Sequence, residues 1–257
     1  MTRDVTGGAD PKRSIDLLWG EAEPGRRGPK PRYSVEEVVA AAVAVADAEG
    51  LQAISVRRIA IELGVSAMSI YTYVPSKAEL VELMFDRVLG ETAEPSPEVQ
   101  GWREALTAVA CERWRLSERH PWMLDLAMHR PPLGPNLMRR HEAALRILNG
   151  TGLDDLTKDL VIDVLHNFLL GALQQAREAR EVEQRSGLTD EQWFAMAEPA
   201  ITARLDPAKF PHVLRLGEAW RAADKAVMAD PLWRFQFGLD VVLDGIGALI
   251  QARRAAA

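Results

Sequence analysis

The chain of 257 residues holds one cysteine, Cys111. An intrachain disulfide and a thiolate metal cluster are thereby excluded, and a reducing, cytoplasmic setting is expected. There is no surplus of positive charge either: 31 Lys and Arg against 37 Asp and Glu give a formal net charge of −6. That argues against a protein that coats nucleic acid without choosing a site. Nowhere do eighteen uninterrupted apolar residues occur, and the opening Met1-Thr2-Arg3-Asp4 has no apolar leader core. Neither export nor membrane spanning is expected. Catalytic signatures are missing as well, with no Gly-x-Ser-x-Gly, no phosphate-binding glycine loop, no His-Glu-x-x-His, and histidines scattered along the chain. Gly245-Ile246-Gly247 lacks the third glycine and the preceding strand of a dinucleotide fingerprint. The expectation is a protein that is not an enzyme and has no cofactor or metal.

What the chain does have is the balance of a folded globular protein, 47% hydrophobic and 26% charged. Its length allows one large domain or two modest ones. From Ser34 onward the apolar spacing is helical and no stretch alternates as strands do, which predicts an all-α fold. Residues 1–25 mix charge with Gly and Pro and read as a mobile N-terminal tail with a short apolar patch, Ile15, Leu17, Leu18 and Trp19. Ser34 and Glu37 form a capping box for a helix over 35–49 that Gly50 stops. Ser55 opens a second helix, with Val56, Ile59, Ala60 and Leu63 on one face and Gly64 at its end. Ser66 caps a third through about Tyr73, closed by Pro75, and Ser76 with Glu79 forms a second capping box that launches a fourth helix running to Gly90.

Two short helices joined through Gly64-Val65 fit a helix-turn-helix, whose second helix enters the major groove. Ile70 and Val74 would face the core, leaving Ala67, Met68, Ser69, Thr72 and Tyr73 on the reading side. Arg26, Arg27, Lys30 and Arg32 make a basic arm just ahead, of the kind that adds phosphate or minor-groove contacts. Met68 and Ala67 suit thymine methyl groups and Arg57 a guanine, whereas the third helix offers no Arg, Asn or Gln of its own, so the operator sequence does not follow.

Ile59 to Ser66, reading Ile-Ala-Ile-Glu-Leu-Gly-Val-Ser, and Ile70 to Leu80, reading Ile-Tyr-Thr-Tyr-Val-Pro-Ser-Lys-Ala-Glu-Leu, closely resemble the signature of the tetracycline-repressor (TetR) family. The likeness is strong over about residues 32–85. Carried over by position, it implies that Arg57, Ala67, Met68, Ser69 and Thr72 approach bases, and Ser66, at the cap of the reading helix, is a further candidate DNA contact. It also implies that Tyr71, Tyr73 and Lys77 sit near phosphates, Lys77 in a helix first turn that itself favours an anion. The expected domains are 26–90 for DNA binding and 91–257 for ligand binding and dimerisation, divided at the Pro95-Ser96-Pro97 break.

In that second part, long helices are predicted near 98–119, 135–149, 155–183 and 232–253, with residues 184–230 less regular. Leu160 to Leu173 is apolar on nearly every side, and the last helix carries Leu232, Phe235, Leu239, Val242, Ile246 and Leu249 on one side and Phe237, Val241, Gly245 and Ala248 on another. Such helices need burial on two faces. A two-fold homodimer would supply the second, with Leu160, Val164, Leu169, Leu173, Phe237, Val241, Gly245 and Ala248 as candidate interface residues; the alternative is burial within one monomer under residues 184–230. Trp102-Arg103, His120-Pro121-Trp122, Gly134-Pro135-Asn136 and Phe235-Gln236-Phe237-Gly238-Leu239 loosely resemble the TetR-class ligand-binding domain. The resemblance implies a pocket for a small-molecule effector, with Trp114, Met123, Met138, His141, His166 and Phe168 as candidate lining. The rival reading is a helical small-molecule binder or scaffold that does not bind DNA.

Overall fold

The computed structural model describes residues 4–5, 10–20, 32–92, 97–127, 129–223 and 230–256. Among the described residues the protein is all-α apart from a two-residue parallel pairing of Asp4–Val5 with Leu126–Ala127. Its helices are α1 Pro11–Leu18, α2 Val35–Glu49, α3 Val56–Leu63, α4 Ala67–Ile70, α5 Lys77–Leu89, α6 Pro97–Arg119, α7 Pro135–Ile147, α8 Asp155–Ser186, α9 Asp190–Thr202, α10 Pro211–Ala222 and α11 Pro231–Ala256.

The predicted starts are built from local hydrogen bonds. Ser34 and Glu37 close a reciprocal capping box at α2, the Glu37 carboxylate accepting from Ser34 N–H at 2.7 Å. The α-helical part of α4 is shorter than expected and gives way to a turn over residues 71–73. Residues 184–230, expected to be less regular, contain α9, which Thr189 and Gln192 open with a capping box, and α10. Pro211 opens α10 at a position where no N–H is needed, and Pro199 lies inside α9.

The chain divides into two compact units, Met1–Ile162 and Asp163–Ala257. Compactness thus does not divide it near residue 90. Leu116, Trp122, Met123 and Leu126 join one apolar core with Val38, Ala42, Ile59, Ile70, Leu80, Met84 and Val88, so the helices after residue 96 are built onto α2 and α5. Residues 10–18 correct the expectation of a mobile tail. Asp10 caps α1 by accepting from Lys12 and Arg13 N–H, Leu17 and Leu18 pack on the core, and the Trp19 indole N–H donates to Leu133 O at 2.9 Å.

Helix α5 is the central element of this unit, with Leu80, Val81, Met84, Phe85, Val88 and Leu89 buried together with the acids Glu79, Glu82 and Asp86. Glu79 does not complete the predicted box. Its carboxylate accepts from the Ser76 hydroxyl and from Arg13, whose Nε lies at 2.8 Å. Burial pushes the Glu79 carboxyl up, but the Ser76 hydroxyl and the Arg13 guanidinium together hold it below its ordinary value. Asp86 accepts from the N–H groups of Asn136 (3.2 Å) and Leu137 (2.9 Å) and from the Asn136 amide (3.0 Å), capping α7 from another helix. A Cβ on Gly134 would lie 2.3 Å from Asp86 Cγ, so only glycine admits that carboxylate.

His120 is more than the turn residue its place before Pro121 suggests. It is buried, with Nδ1 2.8 Å from Asp47 and Nε2 3.0 Å from Glu91, and Trp122 donates to the same Asp47 oxygen at 2.8 Å. This joins α2, the end of α5 and the turn at 121–125.

In the second unit, α8 turns Leu165, Leu169, Leu173 and Ala176 inward, and α11 turns Phe235, Leu239, Leu243, Ile246 and Ile250 inward. Leu243 and Ile250 take the inward places expected of Val242 and Leu249, which are half-buried, and Leu232 is exposed. Phe168 stacks on Phe235, the ring centroids 6.2 Å apart. By length and mean hydropathy alone α11 is long and apolar enough to cross a membrane. Its inward residues are nevertheless packed in the protein, and Asp240 and Asp244 stand on its exposed side.

Replacing Arg13 with Ala leaves the buried Glu79 carboxylate without its guanidinium. The expected loss in urea unfolding is about 1–2 kcal/mol, below the value for a fully buried pair because Arg13 is half exposed. Since the folded Glu79 carboxyl is depressed, this contribution is present above the unfolded value near 4.5 and is lost as pH falls through the folded one. The wild-type advantage over Arg13→Ala should therefore shrink in acid. An unchanged difference at low pH would assign α1 docking to its apolar contacts instead.

Candidate nucleic-acid interface

Helix α3 ends in a Schellman motif. Gly64 adopts a left-handed conformation (φ 63, ψ 41), Val65 N–H donates to Ala60 O at 3.0 Å, and Gly64 N–H donates to Ile61 O at 3.2 Å. The chain then turns directly into α4, where Ser66 Oγ accepts from Ser69 N–H at 3.3 Å. Ile59, Ala60, Ile70 and Val74 are buried against α2 and α5. Their burial fixes which way the second short helix faces.

Outward stand Arg57, Met68, Tyr71 and Thr72, with Met68 74% and Tyr71 49% exposed. Ala67, Ser69 and Tyr73 are half-buried. An exposed methionine and tyrosine beside an arginine, on a helix held from behind by apolar packing, offer surface that a base edge or phosphate can cover. Several of the predicted readers are already engaged. The Ser66 and Ser69 hydroxyls lie 2.9 Å apart, Thr72 Oγ1 donates to Ser69 O at 2.6 Å, and Tyr73 OH accepts from Tyr33 N–H at 3.2 Å.

Tyr33, which the sequence did not single out, braces the turn by donating its hydroxyl to Leu63 O at 2.7 Å. Arg32 lies with its Cζ 5.4 Å from the Tyr33 ring centroid and its Nη1 3.4 Å from Gly64 O, which brings the last residue of the basic arm to the turn. Arg26, Arg27 and Lys30 lie outside the described residues. Lys77 is the first residue of α5, as expected. Arg58 is bound to Glu49 (2.6 Å) and Glu62 (2.9 Å), and these carboxylates, Glu49 foremost, hold its guanidinium charged. This leaves Arg57, not Arg58, as the cation that α3 presents.

The expected effector-lining residues divide between the two units. Trp114 and Met123 are buried in the first, Met123 within its main core. Met138 is half-buried and borders an open hollow of about 460 Å³ with Trp19, Pro135, Arg139 and Glu142. His141 lies 3.2 Å from Asp159. In the second unit His166 is exposed and Phe168 lies against Phe235. Of the expected dimer residues, Leu160, Val164, Phe237 and Val241 are 54 to 62% exposed, and Gly245 and Ala248 are exposed. Leu169 and Leu173 are buried inside the protein and are corrected to core. Nine and thirteen residues from Leu160, at about 100° each, they lie on the opposite side of α8.

A braced helix-turn-helix on a larger helical body defines a DNA-binding transcriptional regulator. The chain belongs to the TetR family. Residues 38–84 match the model of bacterial regulatory proteins of the tetR family, and residues 94–250 match the tetracyclin repressor-like C-terminal domain. It is 38% identical over 252 residues to the HTH-type transcriptional repressor DrrR1 of Streptomyces coeruleorubidus, covering 98% of this chain and 91% of that one. It is similar in structure to apo ActR of Streptomyces coelicolor, with a TM-score of 0.69 and 28% identity over 90% of this chain and 100% of ActR. ActR in complex with actinorhodin matches with a TM-score of 0.67 and 28% identity, over 84% and 96% of the two chains.

The positive φ at Gly64 supplies a test of the turn. Gly64→Val should cost about 1–2 kcal/mol of unfolding free energy, the penalty for a side chain in the left-handed region, and should weaken operator binding more than circular dichroism at 222 nm changes. Unaltered stability would mean that the turn relaxes freely.

Proposed function

We propose that this regulator is a homodimeric repressor that binds a palindromic operator and releases it when a small molecule enters its helical body. The observation that carries the reading is the α3–α4 pair, with Ile59, Ala60, Ile70 and Val74 sealed inward and Arg57, Met68, Tyr71 and Thr72 turned out. The repressor name of DrrR1 and the ActR complex with actinorhodin support repression and an effector. The exposed stripe of Phe237, Val241, Gly245 and Ala248 on α11, with Leu160 and Val164 on α8, supports a two-fold partner.

Release would run through α5. Its first residue, Lys77, is the one assigned to a phosphate, Asp86 caps α7, and Glu91 just beyond its end meets His120. An effector that prefers a shifted α7 would tilt α5 through the Asp86 cap and misplace two reading heads spaced for adjacent major grooves. Arg57 is assigned to a base, and Lys77, Tyr71, Tyr73 and the arm of Arg26, Arg27, Lys30 and Arg32 to phosphates.

The test is fluorescence anisotropy with duplex DNA from immediately upstream of the protein's own coding sequence, across a salt series. Binding that weakens steeply with salt is expected. Lys77→Glu should weaken all sequences uniformly, and Arg57→Ala should relax one position per half-site by about 1–3 kcal/mol. Salt-insensitive or absent binding, repeated with sites selected from random sequence, would sink the operator reading. For the dimer, Val241→Glu should shift sedimentation towards the monomer; an unaltered dimer would place the interface elsewhere.

A further inference from the structure

Two arginines in the first unit lie where a cation is expensive. Arg113 on α6 is packed with its Cζ 5.8 Å from the centroid of the buried Phe85 ring of α5, and still keeps accessible surface. Arg140 on the neighbouring α7 is half-buried, its Nη1 donating to the Thr92 hydroxyl. Among the described residues no carboxylate forms an ion pair with either. Glu112, whose charge reaches Arg140, is directed to Arg115 at 3.3 Å and Arg119 at 3.8 Å. Burial, together with the like charge of Arg140, lowers the Arg113 guanidinium to about 10; burial also lowers Arg140.

A partly dehydrated cation without a counter-ion costs free energy, and two that repel each other cost more. Phe85 and Thr92 hold the guanidinium groups in place without neutralising them. We infer that Arg113 and Arg140 are a preformed anion site and that the effector is an aromatic carboxylate. The carboxylate supplies the charge that both forks lack and matches their paired N–H groups. A flat ring extends the stack that Phe85 begins, since a guanidinium can carry an aromatic face on each side. This rests on the reading of the helical body as the sensor and gives it a ligand class.

The experiment uses the full-length protein without DNA. A panel of aromatic acids, from 2-naphthoate to anthraquinone-2-carboxylate, is titrated by calorimetry against the matching primary amides. At least one acid should bind about ten-fold or more tightly than its amide, as a charge-assisted hydrogen bond demands. Arg113→Met and Arg140→Met should each remove most of that preference. If no acid outbinds its amide, or if both variants keep the preference, the inference is wrong.

A second measurement needs no ligand. Arg113→Met should raise the Tm of the free protein by about 2–4 °C, because an uncompensated cation is replaced by an apolar chain of similar length. A lowered Tm would make Arg113 a structural residue and overturn the assignment. Both readouts are independent of the operator. Failed DNA binding would therefore count against the repressor reading alone, and lost acid selectivity with operator release by some other compound would count against the anion site alone.

Discussion

A carboxylate taken out of water has to be met by donors from somewhere, and helix α5 buries three acids. That requirement organises the first compact unit. Glu79 draws in Arg13 from a helix more than sixty residues earlier, and Asp86 takes the free N–H groups at the start of α7 some fifty residues later. The apolar residues of α5 would bury against many partners, because hydrophobic contact has no direction. The acids do have direction, and so they fix which helices lie against α5 and at what register.

The same logic explains how the reading head stays rigid with so small a recognition helix. One turn of α-helix cannot hold itself. Here the Ser66 cap and the Thr72 hydroxyl take up the N–H and carbonyl of Ser69 within that short helix, while the Schellman turn at Gly64 and the Tyr33 hydroxyl close the end of α3 that leads into it. The side chains that remain outward, Arg57, Met68 and Tyr71, come from positions that the apolar periodicity excludes from the core.

Much of this was legible in sequence because it is local. Ser34 with Glu37, Ser55, Gly64 and Ser66 mark helix ends through bonds to residues within four positions, and they lie at the starts and stops that the structure has. What was illegible depended on distant partners or on phase. Helix α1 read as a tail because residues 1–25 mix charge with Gly and Pro, and its anchor, Glu79, lies 66 residues beyond Arg13. Leu169 and Leu173 read as interface because an all-apolar stretch hides its phase; only packing shows that Leu160 and Val164 face out while those two face in. Pro199 and Pro211 read as breaks, although one stands at a helix start. Arg113 and Arg140 carried no signal, since an unpaired arginine looks like any other until its neighbours are known.

The Asp86 cap also has a consequence for sequence drift. Gly134 has no room for a Cβ while a carboxylate reaches past it to α7, and that carboxylate has no purpose unless the N–H groups of residues 136 and 137 are open. A side chain at Gly134 alone would clash with the carboxylate, and loss of Asp86 alone would leave the N–H groups of residues 136 and 137 uncapped. Residues 86 and 134 should therefore vary as a pair, and a descendant that fills Gly134 with a side chain will carry a shorter or uncharged residue at 86, with α7 capped from its own loop.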